Sequence, residues 1–430
     1  MVLYKSQQPE RTGMQLKTIL NRVHGIGTFV YGEAVLSEWD GELVIEQEVR
    51  SRANGLPLCS GCGARAPGYD RLPTRRFEFV PLWGIACYLL YAMRRVNCPR
   101  CGVTVESVPW GDGKCHRTLA YSWFLARWAR RMSWKEVSEA FRTSWENVYR
   151  SVQWAVQYGL AHRSLEGIKA IGVDEVLWHR GHHYLTVVYQ LDAGAKRLLW
   201  VGKERTEATI RQFFGWFGRV RTSALRFVCS DMWKPYLTVI KDKASQAMNV
   251  LDRYHIASNM NKAIDKVRAK EAKSLEEKGL EPVLTKSRWC LLKRPANLTD
   301  KQDVKLADLL RYNLRTVRAY LLKEDFQHFW SYVRPSWAGR FLDRWCTKVM
   351  RSRIEPMKKI ARSLRKHRPL IMNWFKARVQ ISLGAVEGLN NKLKVVTRKA
   401  YGFRTFNAAE TALYHTLGDL PEPPVTHRFC

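Results

Sequence analysis

Two short cysteine pairs restrict this chain more than any other feature. Cys59-Ser-Gly-Cys62 and Cys98-Pro-Arg-Cys101 are each a CxxC followed by glycine, Gly63 and Gly102. Such a glycine suits a tight turn whose backbone amides face the thiolates. Between the pairs lie a strand-like stretch at 77–82, a turn at Trp83-Gly84 and a second apolar stretch from Ile85 to Val96. Two knuckles joined by antiparallel strands predict a zinc ribbon, with one structural Zn²⁺ held tetrahedrally by Cys59, Cys62, Cys98 and Cys101. The spacer is longer than such linkers usually are, so a β insertion is expected. Duplication of the pair argues against a redox CxxC. Ten cysteines in 430 residues do not suggest a secreted disulfide framework; two paired sets favour a metal in a reducing cytosol. Cys87, Cys115, Cys229, Cys290, Cys346 and Cys430 read as packing or surface cysteines.

The chain is also strongly basic. Lysine and arginine number 72 against 39 acids, a formal charge of +33. Solubility needs far less, so the excess points to a polyanionic partner, with nucleic acid the first candidate. With 46% hydrophobic residues the chain can bury a sizeable core over two or three domains. The most apolar stretch, Trp83 to Met93, is too short to span a bilayer, and no signal-peptide pattern is seen. A cytoplasmic protein is expected.

Residues 117–160 turn helical, with Leu119, Trp123, Leu125, Trp128 and Met132 recurring at helical spacing. Ser133-Trp-Lys-Glu136 is a capping-box pattern. A helix from Trp134 to Phe141, a turn at Arg142-Thr143 and a second helix from Ser144 predict a helix-turn-helix. The second helix would offer Ser144, Trp145, Asn147 and Arg150 to a DNA groove, where Asn or Arg contacts base edges bidentately. A structural three-helix bundle would carry the same pattern; the net charge and the ribbon upstream favour DNA.

Further on, an apolar run reaches Asp174, a turn signal stands at Gly181, and a second run extends from Tyr184 to Leu191. These predict two antiparallel strands with Asp174 on the core-facing row. A carboxylate there must be paired, protonated or bound to a metal. Glu175 would point to the opposite face, at the surface or behind the site. A third strand at 197–201, a helix at 206–217, a strand running into Asp231, a helix from Pro235 and a strand at 247–251 follow. That order suits an RNase H-like sheet. Glu387 comes much later, in a helical pattern among amides and lysines. Two strand-end aspartates and a helix-borne glutamate suit a pair of hard divalent ions, which clamp the attacking and leaving oxygens of phosphoryl transfer. Asp252 is a rival ligand or a carboxylate orienting His255, and His255 could meet a phosphate.

The stretch before Glu387 is helix-rich and basic, as an insertion domain would be. Trp289, Trp330, Trp337 and Trp345 lie in it, as core or, where exposed, as platforms for unpaired bases. From Gly388 to Arg404 there are Lys392, Lys394, Arg398, Lys399 and Arg404 and no acid. With Asn390 and Asn391 they would face DNA beside the metal; Asn391, four residues on, shares the face of Glu387.

At these residues the chain resembles the ISL3 type of DDE transposase of bacterial insertion sequences. The resemblance lies in Gly172-Val-Asp174-Glu175, Ser230-Asp231-Met-Trp-Lys-Pro-Tyr236, Asp252-Arg-Tyr-His255, Glu387-Gly-Leu-Asn-Asn391-Lys392 and Tyr401-Gly-Phe-Arg404. It covers nearly the whole chain. It implies a multidomain α+β protein: an N-terminal β region with the zinc ribbon (1–115), a helix-turn-helix (116–164), an RNase H-like core in two parts (165–265 and 371–417) around an all-helical insertion (266–370), and a tail (418–430). It further implies that Asp174, Asp231 and Glu387 are catalytic and bind two Mg²⁺ or Mn²⁺ ions. The DNA-binding elements would hold terminal inverted repeats of double-stranded DNA. Phosphodiester hydrolysis at the element ends and strand transfer would follow, in a homodimer or larger assembly. The competing readings are an RNase H-like structure-selective nuclease or resolvase, and a decayed transposase acting as a zinc-dependent DNA-binding regulator.

Overall fold

A computed structural model describes residues 15–111, 114–179, 183–378, 380–381 and 384–424. The turn expected at Gly181, Val379, Cys430 and the end of the tail lie outside them. The chain divides into two compact units, one from Met1–Arg163 with Lys399–Cys430, the other from Ser164–Arg398. Both are mixtures of sheet and helix. No helix among the described residues is long and apolar enough to cross a membrane.

The first unit opens with α1 (Leu16–Val23), β1 (Phe29–Trp39), β2 (Glu42–Ser51), β3 (Leu58–Cys59), β4 (Gly68–Leu82), β5 (Ile85–Cys98) and β6 (Gly102–Ser107). The sheet runs β1-β2-β5-β6-β3, with β4 also paired to β5. Two hairpins set its register. Asp40 and Gly41 (φ 50° and 77°) join β1 to β2, and Trp83 and Gly84 (φ 51° and 80°) join β4 to β5. Two successive positive φ values are what a two-residue hairpin needs to match strand twist, and Asp-Gly supplies them cheaply. The strands expected at 27–31 and 41–45 are therefore longer than their apolar cores. Phe29, Phe77 and Tyr91 set their rings edge-on to Trp110, at 4.8, 6.1 and 5.4 Å between centroids. Burying each aromatic stabilises the sheet by roughly 1.5–3 kcal/mol, so this cluster outweighs the exposed ion pairs of the strands.

Three helices follow: α2 (Leu119–Ala129), α3 (Trp134–Ala140) and α4 (Trp145–His162). Each starts on a side-chain cap. Thr118 accepts from the Tyr121 amide, Ser144 accepts from the Asn147 amide, and Ser133 and Glu136 form the expected capping box. Caps of this kind satisfy amides that the first turn leaves bare, each contributing about 1 kcal/mol.

In the second unit, β7 (Ala170–His179), β8 (His183–Gln190) and β9 (Leu198–Lys203) form an antiparallel meander. Then come α5 (Glu207–Phe217), α6 (Arg219–Ser223), β10 (Phe227–Ser230), α7 (Lys234–Lys243) and β11 (Met248–Leu251). The sheet order is β11-β10-β7-β8-β9, with β10 parallel to both β7 and β11. Ile171, Val173 and Val188 of the sheet pack against Ile210, Phe213 and Phe217 of α5. Parallel strands covered by helices need apolar residues on both faces, which explains the near-continuous apolar run of Phe227–Ser230.

The helical part comprises α8 (Arg253–Glu277), α9 (Arg288–Leu292), α10 (Asp300–Leu309), α11 (Arg315–Gln327), α12 (Pro335–Arg351), α13 (Glu355–Lys366) and α14 (Arg368–Ala377). It ends in α15 (Ala385–Lys399), and α16 (Phe406–Leu417) closes the chain. Two expected boundaries move. The line at 265/266 falls inside α8, because Asp252 caps one unbroken helix of 25 residues. The expected core segment 371–417 divides, because from Lys399 onward the chain belongs to the first unit. There Phe403 lies 6.2 Å from Trp134 between ring centroids.

Candidate active site and cysteine cluster

Register explains how three acids come level. In the parallel ladder Cys229 pairs with Gly172 and Ser230 with Leu251. One or two residues on, Asp174 in the middle of β7 stands level with Asp231 and Asp252, which lie just past the carboxyl ends of the adjacent strands β10 and β11. All three are buried. Ligands of open α/β sheets gather at this end of the strands, where the order of connection reverses.

Each carboxylate has protein partners. Asp174 accepts from the Glu175 amide (2.8 Å) and from Asn390, and His255 Nε2 stands 3.4 Å from its Oδ1. Asp231 accepts from the Trp233 amide (2.9 Å) and from Arg205 (3.1 Å). The same guanidinium reaches Glu175 at 2.9 Å and lies over the Trp233 ring at 4.4 Å. Asp252 accepts from the Tyr254 amide at 2.8 Å as the cap of α8.

The electrostatics are those of crowded, poorly hydrated acids. Burial raises the carboxyl pKa of Asp231 and of Asp252, and the charge of Asp174 adds to both. Burial, with the charge of Asp231, lifts Glu175 to about 7. For His255 burial works downward, but the hydrogen bond and charge of Asp174, with Asp252 and Asp231, outweigh it and lift the imidazole to about 9. His255 and Arg205 are thus the local cations. Glu175 Oε2 and Arg205 Nε are buried without a hydrogen-bond partner. An acid-rich pocket with an orphaned carboxylate oxygen has the donor chemistry that a hard divalent cation takes.

Glu387 is in the first turn of α15 and is exposed. One turn later, Asn390 is buried; it donates to Asp174 Oδ2 and accepts from the Tyr189 hydroxyl at 2.8 Å. Gly172 makes this approach feasible, since a Cβ there would meet Val386 Cγ2 at 2.7 Å. Among the described residues, the only set of three or more His, Cys, Asp or Glu with ligand atoms all within 4.8 Å of one another is the cysteine set. The structure thus brings Asp174 and Asp231 together with Asp252 and His255. Glu387 does not join Asp174 and Asp231 in a set of ligand atoms all within 4.8 Å of one another, but its charge adds to the rise of the Asp252 pKa.

That cysteine set is Cys59, Cys62, Cys98 and Cys101. Cys62 and Cys98 sulfurs are 3.6 Å apart, close to the spacing that tetrahedral Zn–S bonds of about 2.3 Å require. Gly63 and Gly102 both have positive φ, 70° and 72°, the conformation expected from sequence. At Gly61 a Cβ would stand 3.0 Å from Cys101 Sγ. A hydrogen bond with Thr104 leads the causes that lower Cys59 to about 6. The four residues therefore fit one zinc ion.

The DNA-facing candidates divide. Trp145 is 60% exposed, and Arg150 is exposed and paired with Glu146 at 2.7 Å. Ser144 is spent as the cap of α4. Asn147 is held between Arg117 and Thr143, so its amide has little left for a base. On α15 and beyond, Asn391, Lys392, Lys394, Arg398 and Arg404 are exposed. Asn390 is turned inward to Asp174. Lys399 donates to the carbonyls of Ala129 and Arg130 at 3.1 and 3.2 Å, closing the C-terminus of α2. Of the insertion tryptophans, Trp345 is buried, Trp289 and Trp337 are exposed, and Trp330 is half-buried. Sequence reasoning missed Arg205 and Tyr189; of the two places it left open for Glu175, the one behind the site is where the Arg205 pair holds it. Arg205 has no periodic signal, and Tyr189 reads as an ordinary strand aromatic.

Comparison with known proteins gives this geometry its class. Residues 171–413 match the ISL3-type DDE family, described as transposase, and the chain belongs to that family. It is thereby a DNA-binding, DNA-processing enzyme of the insertion-sequence type. It is 31% identical over 416 residues to the transposase for insertion sequence element IS1557 of Mycobacterium tuberculosis, covering 90% of this chain and 92% of that one. With the transposase for insertion sequence element IS1001 of Bordetella parapertussis it shares 28% identity over 350 residues, 81% of this chain and 85% of that one.

Proposed function

We propose that this transposase cuts DNA at the ends of its insertion sequence and joins the freed ends to a target, using Asp174, Asp231 and Glu387 in an RNase H-like core. One observation carries the reading: Asp174, within β7, and Asp231, just past β10, are buried and level on adjacent parallel strands, with more acid around them than cation. Two Mg²⁺ or Mn²⁺ ions held there would supply charge for the attacking and leaving oxygens of an in-line displacement. The chain's own residues set the geometry. Asn390 fixes the Asp174 carboxylate and ties α15 to the sheet. Arg205 fixes Asp231. Lys392 and Lys394, exposed in the turn after Asn390, would neutralise phosphates of the bound strand. Glu387 would complete the ligand set by a change of its own side chain or of the first turn of α15. Asp252 and His255 would orient Asp174 and the bound strand.

In the same reading, residues 59–101 form a zinc ribbon and α3–α4 a helix-turn-helix that hold the terminal repeats, with Trp145 and Arg150 nearest the DNA. Joining two ends calls for at least two copies of the chain. The test is Asp174→Asn on duplexes carrying the element end, with Mg²⁺. Cleavage and joining of pre-cut ends should fall to background, while end binding by gel shift stays intact. Cleavage that survives removes Asp174 from the mechanism. Cleavage without joining by the natural chain points instead to a nuclease.

A further inference from the structure

The chain is basic, but its first hairpin is not. From Phe29 to Ser51, β1 and β2 carry six acids against Arg50 alone, a formal −5 in a chain of +33. Strand β1 is also a sheet edge, paired with β2 only. From Ala34 to Trp39 its outer side has no backbone partner among the described residues. Charge alone would guard such an edge against pairing. Here apolar groups stand among the charges: Leu36 is 58% exposed, and Val35, Trp39 and Leu43 are nearly as bare. Glu42 pairs with Arg142, Glu46 with Arg76 at 2.6 Å and Glu48 with Arg50 at 2.6 Å. Glu33, Glu38 and Asp40 are exposed and have no ion-pair partner among the described residues. Beside the bulge between Tyr31 and Ala34, a cavity of about 420 Å³ is lined by Glu33, Glu46 and Glu48 against Arg50 and Arg71, a net negative wall.

An acidic surface repels a phosphate backbone, so this face does not suit DNA. Apolar residues ringed by charge are the make-up of a protein interface. An open edge takes a segment of another chain through main-chain bonds, and its charge selects a basic one. The rest of this chain is such a partner. A second β1 fits poorly, since antiparallel pairing centred on Val35 and Leu36 sets Glu33 opposite Glu38, like charges across strands. We propose that the β1 edge docks a lysine- or arginine-rich segment of a second copy of this chain. Leu36 and Leu43, on one face of the hairpin, form the centre of the contact, and Glu33, Glu38 and Asp40 form its rim. In a two-fold pair each copy gives its edge and receives one, so the contact is made twice. The inference rests on the proposed joining of two ends, which brings a second copy alongside, and it names the surface that holds that copy.

The probe is the full-length chain with photoreactive benzoylphenylalanine in place of Leu36. Equal amounts of isotope-labelled and unlabelled probe are irradiated together on duplexes carrying the element end, and adducts are mapped by mass spectrometry. Mass photometry counts the copies in each complex, and the natural chain is assayed for cleavage and joining with Mg²⁺. The expected result is a mixed-label adduct within a lysine- or arginine-rich segment. Glu33→Lys, Glu38→Lys and Asp40→Lys together should lower the two-copy fraction about tenfold, since reversed rim charges repel a basic partner, while binding of a single end is kept. Adducts confined to DNA or to the same copy, adducts in a segment without basic excess, or none at all overturn the surface. A triple variant that pairs as the natural chain does also overturns it. If that variant misfolds and loses end binding, the adduct map alone decides. Cleavage and joining by the natural chain alongside any overturning result leave the cleavage reading standing. The expected adducts from a chain that neither cuts nor joins keep the surface and overturn that reading.

Discussion

The cysteine cluster and the carboxylate cluster are both sets of metal-ligand side chains, yet they are built on opposite plans. The thiols sit on two glycine turns, all within 4.8 Å of one another. The carboxylates sit on or just past adjacent strands, with Arg205 bridging Glu175 and Asp231 and His255 beside Asp174. Soft ligands on rigid turns make a closed site whose metal stabilises the fold. Hard ligands paired with protein cations, and not closed around one point, make an open site, which leaves room for a substrate oxygen. The difference teaches that a set of ligand residues reads as structural or chemical by what fills the space between them.

Three changes test this contrast. The largest effect is expected at the closed site. Cys98→Ser, or removal of zinc by a chelator, should unfold the β3–β6 region, since structural zinc contributes on the order of 10 kcal/mol. Limited proteolysis and near-ultraviolet circular dichroism would report it. A ribbon that stays folded would erase the contrast from this side. Next is Asn390→Ala, which frees Asp174 without removing a ligand. Strand cleavage should fall about 10–100-fold, as for loss of a residue that orients a ligand, with the melting temperature little changed. Cleavage kinetics at saturating Mg²⁺ would measure it. A drop confined to melting temperature would make Asn390 purely a packing residue.

The smallest effect separates acid release of metal from acid unfolding of the first unit. His415 is buried on α16 with Nε2 unpartnered, and burial, with Arg130 and Lys399 nearby, lowers it to about 3. The folded state therefore refuses a proton that the unfolded chain accepts below about 6.5. Stability from this group is complete above that pH and declines as pH falls toward 3, by at most about 1.4 kcal/mol per pH unit. His415→Leu should flatten this part of the decline, read by calorimetry between pH 7 and 5. An unchanged slope would assign the whole acid response to the thiolates.

Much of this plan is legible in the sequence, and the gaps have physical causes. Trp83-Gly84 marks a turn because the apolar runs on each side stop there. Asp40-Gly41 is an equally strong turn signal, yet short apolar cores drew the flanking strands too short. Level placement of Asp174 and Asp231 follows from two apolar runs that each end in an acid. Asp252 follows the same rule, so sequence could not rank the three. Helical spacing linked Glu387 to Asn391, and both are exposed. It could not tell that Asn390, one residue earlier, would turn inward, because that depends on Tyr189 in a distant strand. Asn147 and Lys399 carry polar ends that suit DNA, but folding uses them first.

The bond from Lys399 to the end of α2 has a further consequence for any salt titration. A cation that already caps a helix displaces no counterion when DNA arrives. Each neutralised phosphate contributes a slope of about 0.9 in log affinity against log salt. The run from Gly388 to Arg404 would then register through Lys392, Lys394, Arg398 and Arg404 alone, and replacing Lys399 would alter melting before it altered that slope.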